Sequence, residues 1–524
     1  VSARKQSFIQ GAMILLAAGL INRLLGFVPR IALPRMIGAE GVGLIQLVYP
    51  FLIVLLTIIA GGVPLAVSKL VAEADSCGDS AAVKRIVRSA MTVAVTAGMA
   101  AAGICIVLAD WISTVIMTDS RVHTAFMTMI PALPLVAVSS VWRGYFQGKQ
   151  NMIPTAFSST TETMVRIVLT LLLAALLLPY GIEAAAAGGM LGLVAGEAAG
   201  LLVLWRQASI ERKREGPVSS GESESLTRLE PSDRKVYRKL FGIAIPVTGS
   251  RLIGSLSYLL ESILTARSLV AAGLATAEAT AQYGALQGMV IPLLLLPGAL
   301  TYSLAVSLVP SLSESAALGD WSGIHKRLHQ SMRLAVVTGA PFIVLMSLMA
   351  EPICLLLYGD DSMAGMLRWL SPIAIFLYMQ APLQAALQAL NRPGTALFNT
   401  FAGAAVKLAL IVQLATRPEL GIYGAIIAIG VNIVLVTLLH WISTARLTGF
   451  RMLPMDFVKV TAAMIVMSAV AMWIWNRRWL PADSLNLVSS GMAGVLVYIL
   501  LLIAMRLIDR HDAARIPVVG RLFR

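Results

Sequence analysis

Cysteine is almost missing from this chain, and the little there is cannot form a staple. Cys77, Cys105 and Cys354 are the full set. They show no paired spacing and two lie in apolar stretches, which argues against a structural disulfide or a metal site. Charge is scarce as well: 13% of the 524 residues are Asp, Glu, Lys or Arg, against 58% hydrophobic, and the mean hydropathy is +0.81. That balance excludes a soluble fold. No Walker-type phosphate loop occurs, so ATP is not expected to drive whatever the protein does. Acids are outnumbered, 27 against 41 Lys and Arg, giving a formal net charge of +14. The basic residues are spread along short loops instead of gathered on one face, which speaks against nucleic acid and for contact with anionic phospholipids.

What fills the chain is apolar sequence in runs of about twenty residues. Fourteen membrane helices are predicted, near 8–33, 42–67, 89–109, 122–146, 155–178, 182–205, 240–267, 282–309, 334–357, 364–390, 395–416, 421–445, 456–476 and 485–507. The first run is long, contains Asn22 and Arg23 and shows no cleavage-site pattern, so it reads as a retained helix and not a signal peptide. About 29 of the 41 Lys and Arg fall at the N-terminus, in the even-to-odd connections and in the C-terminal tail. Both termini are therefore predicted to be cytoplasmic in a multi-pass plasma-membrane protein. The expected outer loops are short, leaving little room for an extracytoplasmic enzymatic site, and no enzyme activity is expected.

Two halves of the sequence can be laid over each other in order. Asn22-Arg23-Leu24-Leu25-Gly26 faces Ser250-Arg251-Leu252-Ile253-Gly254, Gly78-Asp79 faces Gly319-Asp320, Gln147–Thr155 faces Gln388–Thr395, and Gly181-Ile182 faces Gly421-Ile422. The fold class that follows is all-α and polytopic, with two pseudo-symmetric six-helix lobes related by a parallel repeat. The expected division is a lobe at 1–206, a mixed-charge cytoplasmic linker at 207–239, a lobe at 240–446, and two additional helices with a tail at 447–524.

Basic residues inside the apolar spans are the candidate functional groups. A cation at the centre of a bilayer helix costs roughly 2.5–3.5 kcal/mol unless it meets water, an acid or an anionic ligand. Arg23 and Arg251 occupy matching repeat positions, and the same alignment sets Arg166 opposite Lys407. Together they predict a cationic cavity suited to phosphate oxygens, which guanidinium forks bind bidentately. Arg30, later in the first helix, either joins them or snorkels to the outer interface. Glu162, Glu197 and Glu261 are the buried acids expected as charge partners. Glu162 stands four residues before Arg166, a spacing that also suits a plain internal salt bridge. His325 and His329 share that spacing but have no third ligand in sequence reach, and Asp360-Asp361 reads as a solvated loop pair.

The run Asn22-Arg23-Leu24-Leu25-Gly26-Phe27-Val28-Pro29-Arg30, with Gly38-Ala39-Glu40-Gly41-Val42-Gly43 and Gly61-Gly62-Val63-Pro64, resembles the polysaccharide-transporter branch of the multidrug/oligosaccharidyl-lipid/polysaccharide (MOP) exporter superfamily. Within that branch it resembles the stage V sporulation and MurJ-like group of lipid II flippases. The resemblance implies a flippase that exports an undecaprenyl-diphosphate-linked peptidoglycan precursor, or a related lipid-linked oligosaccharide, by alternating access, with a role in spore cortex synthesis. It also implies a groove for the lipid tail at the terminal helix pair. No cofactor is expected beyond the membrane potential and an optional coupling ion, and cell-wall synthesis proteins are candidate partners. Arg23 and Arg30 match the two arginines of that group's first helix. Its basic residues in helices 2 and 8 have no counterpart here, since Met36–Ser68 and Ser268–His325 hold no Lys or Arg. Arg166, Arg251 and Lys407 are the substitutes this chain offers. Two rivals are a cation-coupled multidrug exporter of the same superfamily and a non-transporting scaffold for cell-wall assembly.

Overall fold

The computed structural model describes residues 8–215, 233–451 and 454–507. Among these the chain is helical throughout, with no strand, as backbone in a hydrocarbon medium requires. Eleven helical stretches are long and apolar enough to cross a membrane, or twelve when the pair Ala364–Leu370 and Ala374–Ala389, bent by 51°, is taken as one. One stretch, Met13–Ser76, runs for 64 residues. At 1.5 Å per residue it is roughly 96 Å long, three times the hydrocarbon thickness, so a single crossing cannot hold it. Gly38 breaks it with φ 68° and ψ 179°, a conformation open to glycine.

All the expected spans fall on helical chain, but prolines cut some of them. The span expected at 122–146 is split into Val122–Met129 and Ala132–Gly148 around Pro131. The span expected at 282–309 is a π-helical turn at Ala285–Val290, a short helix Ile291–Leu295 and then Gly298–Ala317, with Pro292 and Pro297 at the joints. The linker expected at 207–239 is helical at both edges. Helix Ile182–Glu215 carries the good helix formers of its polar end past 206, and helix Asp233–Ala271 begins before 240. The middle of that linker and the tail beyond 507 lie outside the described residues.

The chain divides into two compact units, Val1–Met289 and Val290–Arg524. The first is built on a core that includes Leu44, Val48, Phe126, Leu133 and Phe146. Helix Asp233–Ala271 belongs to it because it packs along Phe27–Ala60 and Val63–Ser76. At Gly62 the approach is so close that a Cβ would overlap the carbonyl of Ala244, and at Gly43 it would overlap that of Thr280. The second unit packs Leu328, Met332, Leu383 and Ala386 against the terminal helices Pro454–Arg477 and Asp483–Ala504 through Met467 and Tyr498. Tyr498 donates its hydroxyl to the Val337 carbonyl at 2.9 Å, so this buried ring leaves no polar atom unsatisfied.

Matching repeat positions adopt matching local geometry. Gly78 and Gly319 are left-handed at φ 71° and 68°. The following Asp79 and Asp320 cap their helices by accepting from Ala82 N and Gly323 N, each at 2.8 Å. Gln150 and Asn391, non-glycine residues at positive φ, are a further matched pair at φ 56° and 59°.

Candidate functional site

The membrane-embedded charge of the first unit is concentrated where helix Ile153–Leu177 crosses helix Ile182–Glu215. Gly192, Gly196 and Gly200 recur every four residues and form a bare strip on the second helix. A Cβ on Gly196 would stand 2.7 Å from Arg166 Cβ, and one on Gly200 would stand 3.1 Å from Glu162 Cβ. The missing side chains are what allow Glu162 and Arg166 to lie against the neighbouring backbone.

Glu162 is the centre of the cluster. Its Oε1 accepts from Arg166 Nη2 and its Oε2 from Arg143 Nη2, both at 2.6 Å. The carboxylate side chain is 8% exposed, whereas Arg166 and Arg143 keep 32% and 28%. One buried anion therefore holds two partly open guanidinium groups, each a charge-assisted bond. Glu197 lies against Glu162, within electrostatic reach of both arginines, completing a set of two acids and two bases. Helix Phe8–Leu25 is docked beside this set by Asn22 Nδ2, which donates to Ser159 Oγ at 2.9 Å. Arg23, the next residue, is exposed in the last turn of that helix.

The other candidates from the sequence are placed elsewhere. Arg30 is exposed, with its guanidinium 5.7 Å from the Phe27 ring centroid. Arg251 is exposed on helix Asp233–Ala271. Ten residues later on that helix, Glu261 is buried and takes Gln287 Nε2 at 2.8 Å. Lys407 is buried in the second unit, on helix Pro393–Leu414. So Arg166, Glu162 and Glu197 come together beside the helix that carries Arg23. Arg30 and Glu261 are both within electrostatic reach of a different side chain, Tyr258.

Two groups escaped the sequence reading. Arg143 stands near the end of helix Ala132–Gly148, where it counts as a loop-side basic residue, and only the fold brings it to Glu162. The second is an ionic set at the end of the unit predicted to lie outside. Arg121 Nη1 meets Glu40 Oε1 at 2.5 Å and its Nη2 meets Asp119 Oδ2 at 2.7 Å. Thr280 Oγ1 donates to the same Asp119 oxygen at 2.8 Å. Burial works to raise the Asp119 carboxyl, but the hydrogen bonds from Arg121 and Thr280 outweigh it and hold the group below its ordinary range. Arg121 is pushed up in turn, chiefly by its hydrogen bond to Asp119. The Asp119-Ser120-Arg121 spacing was the one local signal available. The histidines serve as fasteners: His325 Nε2 lies 2.6 Å from the Thr448 carbonyl and His329 Nε2 lies 2.9 Å from Asp456.

Comparison with known proteins bears on what this arrangement serves. The family model for polysaccharide biosynthesis protein matches residues 8–316, more than half of the chain. The chain belongs to that family. Stage V sporulation protein B of Bacillus subtilis (strain 168) is 38% identical over 522 residues, covering 99% of both chains. The lipid II flippase MurJ of the same organism is 28% identical over 479 residues, covering 88% of this chain and 86% of the relative. In fold, a solved structure of lipid II flippase MurJ in an inward closed conformation superposes with a TM-score of 0.70 at 12% identity, over 94% of this chain and 99% of that one. The resemblance read from the Asn22–Arg30 run is thus borne out for the family, and the protein is a multi-pass membrane protein of that fold.

Proposed function

We propose that the protein is a flippase for an undecaprenyl-diphosphate-linked peptidoglycan precursor, lipid II or a close relative, moved across the plasma membrane by alternating access. The observation that carries this reading is Glu162 holding Arg143 and Arg166 at 2.6 Å each inside a membrane-spanning bundle. A carboxylate that takes one hydrogen bond from each of two guanidinium groups stands where an anionic oxygen ligand would bind, so a diphosphate can replace it. Arg23 on the adjoining helix, Arg251 and Lys407 are the further cations the substrate would meet.

The two relatives are named for sporulation and for lipid II flipping, which supports both the substrate class and a role in spore cortex synthesis. An apolar cavity of about 700 Å³ supports a place for the tail. Ile343, Phe376, Trp441, Phe457 and Met464 line it beside helix Pro454–Arg477. Moving two net negative charges outward across an inside-negative potential gains about 4.6 kcal/mol at 100 mV, enough to bias export without a chemical fuel.

The test is outward exposure of lipid II in cells that depend on this protein. Variants are Arg143→Ala with Arg166→Ala, and separately Arg23→Ala with Arg251→Ala, all at equal membrane abundance. Both pairs should lower exposed lipid II by tenfold or more, as expected when about 1.4 kcal/mol or more of phosphate binding is removed. Unchanged exposure in both pairs would favour a scaffold for cell-wall assembly. A loss of drug resistance with intact lipid II exposure would favour a cation-coupled exporter.

A further inference from the structure

A second cavity, of about 1,110 Å³, lies in the first unit, and none of its lining residues belongs to the Glu162 cluster. It opens between helices Ser80–Val107 and Ala132–Gly148. Gly144 and Gly148 of the latter press against the backbone of helix Val63–Ser76, with Cβ positions 2.7 Å from Pro64 O and Ser68 O. Trp142, Tyr145 and Lys149 consequently project from another face of that helix and line the cavity. Lys84 and Arg88, exposed and one turn apart, supply the opposite wall. The lining carries three cations against one acid, Asp75, and although Glu211 stands 3.9 Å from Lys149, the balance still favours an anion, chiefly through Lys84 and Arg88.

Its apolar part settles which kind of anion. Val87, Met91 and Val95 continue the Lys84–Arg88 face up the helix inside the cavity. Beyond the cavity the same stripe runs on through Met99 and Ile106, which are 57% and 54% exposed. Trp142 and Tyr145, edge to face at 5.8 Å, complete the polar lower part, as aromatic side chains do at a membrane interface. A soluble phosphate would satisfy the cations and leave the stripe bare. A molecule with an anionic head and an acyl tail satisfies both.

We infer that this groove is a specific binding site for one anionic phospholipid, its phosphate on Lys84, Arg88 and Lys149 and its chain along Val87, Met91 and Val95. The position suits the leaflet predicted to be cytoplasmic, where anionic headgroups draw basic side chains.

The test uses the full chain purified in neutral detergent, with phosphatidylglycerol and phosphatidylcholine of equal chain length as probes. Bound lipid is read by native mass spectrometry and thermal stability by the unfolding midpoint. One phosphatidylglycerol should be retained per chain, with a raised midpoint, and phosphatidylcholine should do neither. Lys84→Gln with Arg88→Gln should weaken retention roughly thirtyfold, the effect of two cations at a membrane surface. Lys84→Arg with Arg88→Lys should restore it. Equal retention of both lipids by the unaltered chain overturns the proposal, which keeps it testable even if the glutamine variant folds poorly. So does equal retention by a folded glutamine variant. Displacement by inorganic pyrophosphate at matched concentration would make the ligand a soluble anion and also overturn it.

Discussion

In the hairpin Ile153–Leu177 with Ile182–Glu215, an acid faces a glycine: Glu162 and Arg166 lie on Gly196 and Gly200. In the hairpin Pro393–Leu414 with Ile422–Thr448, the glycine has changed sides. Gly403 stands at the repeat position of Glu162, and it faces Val436 at the position of Gly196. One turn earlier, Ser158 donates to the Gly200 carbonyl at 2.8 Å, whereas its counterpart Asn399 meets His440 Nδ1 at 3.3 Å and Ser443 Oγ at 3.0 Å. The interhelical spacing is kept by moving volume from one helix to its partner, while the acid and its two arginines give way to a hydrogen-bonded Asn399–His440–Ser443 set, with Lys407 alone keeping the charge at the position of Arg166. A duplicated membrane hairpin can therefore hold its backbone and exchange its chemistry, because close packing constrains the sum of the facing side chains and not each one.

The sharpest way to break this comparison is to carry the second hairpin's residue into the first. Gly196→Val should be the most damaging change, since its Cβ alone would stand 2.7 Å from Arg166 Cβ and 2.9 Å from the Glu162 carbonyl. Overpacking of this kind costs about 1–3 kcal/mol, and here it also pries Glu162 from its arginines. Glu162→Gly alone should destabilise as well, by leaving Arg143 and Arg166 without their anion. The double variant, which recreates the Gly403–Val436 pairing, should recover only the share of the midpoint lost to contact between the valine methyls and the Glu162 side chain, because Arg166 Cβ and the Glu162 carbonyl stay in place, and it should recover none of the transport. Unfolding midpoints of the two single variants and the double form the cycle. Strict additivity would mean that the two positions do not share volume.

A smaller effect separates the two outer turns. Asp119 and Asp360 occupy the same repeat position and make the same turn, accepting from the backbone N of Arg121 at 3.1 Å and of Ser362 at 2.9 Å. Only Asp119 is buried and joined to a guanidinium, with Arg121 bridging it to Glu40. Because its folded pKa is lowered, its stabilisation is complete above the ordinary carboxylate value near 4 and is lost as pH falls through the lowered one. The unfolding midpoint should be flat in this respect from neutral pH to about 4 and fall below that. Asp119→Asn should lower the neutral-pH midpoint and flatten the acid limb. Asp360→Asn should change neither, and an equal response from both would erase the distinction between the turns.

How much of this was legible in the sequence depended on distance along the chain. Helices were readable from apolar length, and the paired caps from Gly78-Asp79 and Gly319-Asp320, because those signals are local. Glu162 with Arg166 was readable as a helical neighbour pair. Arg143 with Glu162, 19 residues apart on separate helices, and Arg121 with Glu40, 81 apart, were not, since hydropathy does not say which helices touch. The same limit applies to the division of the chain. The repeat separates the halves near 206–240, yet helices Asp233–Ala271 and Thr276–Gly284 pack with the first compact unit, a choice made by glycine contacts at Gly43 and Gly62. Proline breaks at Pro131, Pro292 and Pro372 were visible as residues, but their effect on helix continuity was set by packing.

The mildest expected effect tests the hydrogen-bonded set of the second hairpin. Asn399 contributes its amide to His440 and Ser443 in a buried position, and removing it leaves both without that partner. A neutral hydrogen bond is worth about 1 kcal/mol net, and a residual unsatisfied group adds to the loss, so Asn399→Ala should lower stability by about 1–2 kcal/mol. Asn399→Ser, the residue type of the first hairpin, should lose less, because a hydroxyl reaches a backbone carbonyl there as Ser158 does. If the Asn399–His440–Ser443 set only holds two helices together, both variants should export lipid II at the unaltered rate once abundance is matched. A transport defect larger than the stability loss would instead make Asn399 part of the substrate path, and the second hairpin would share the chemistry that the first concentrates around Glu162.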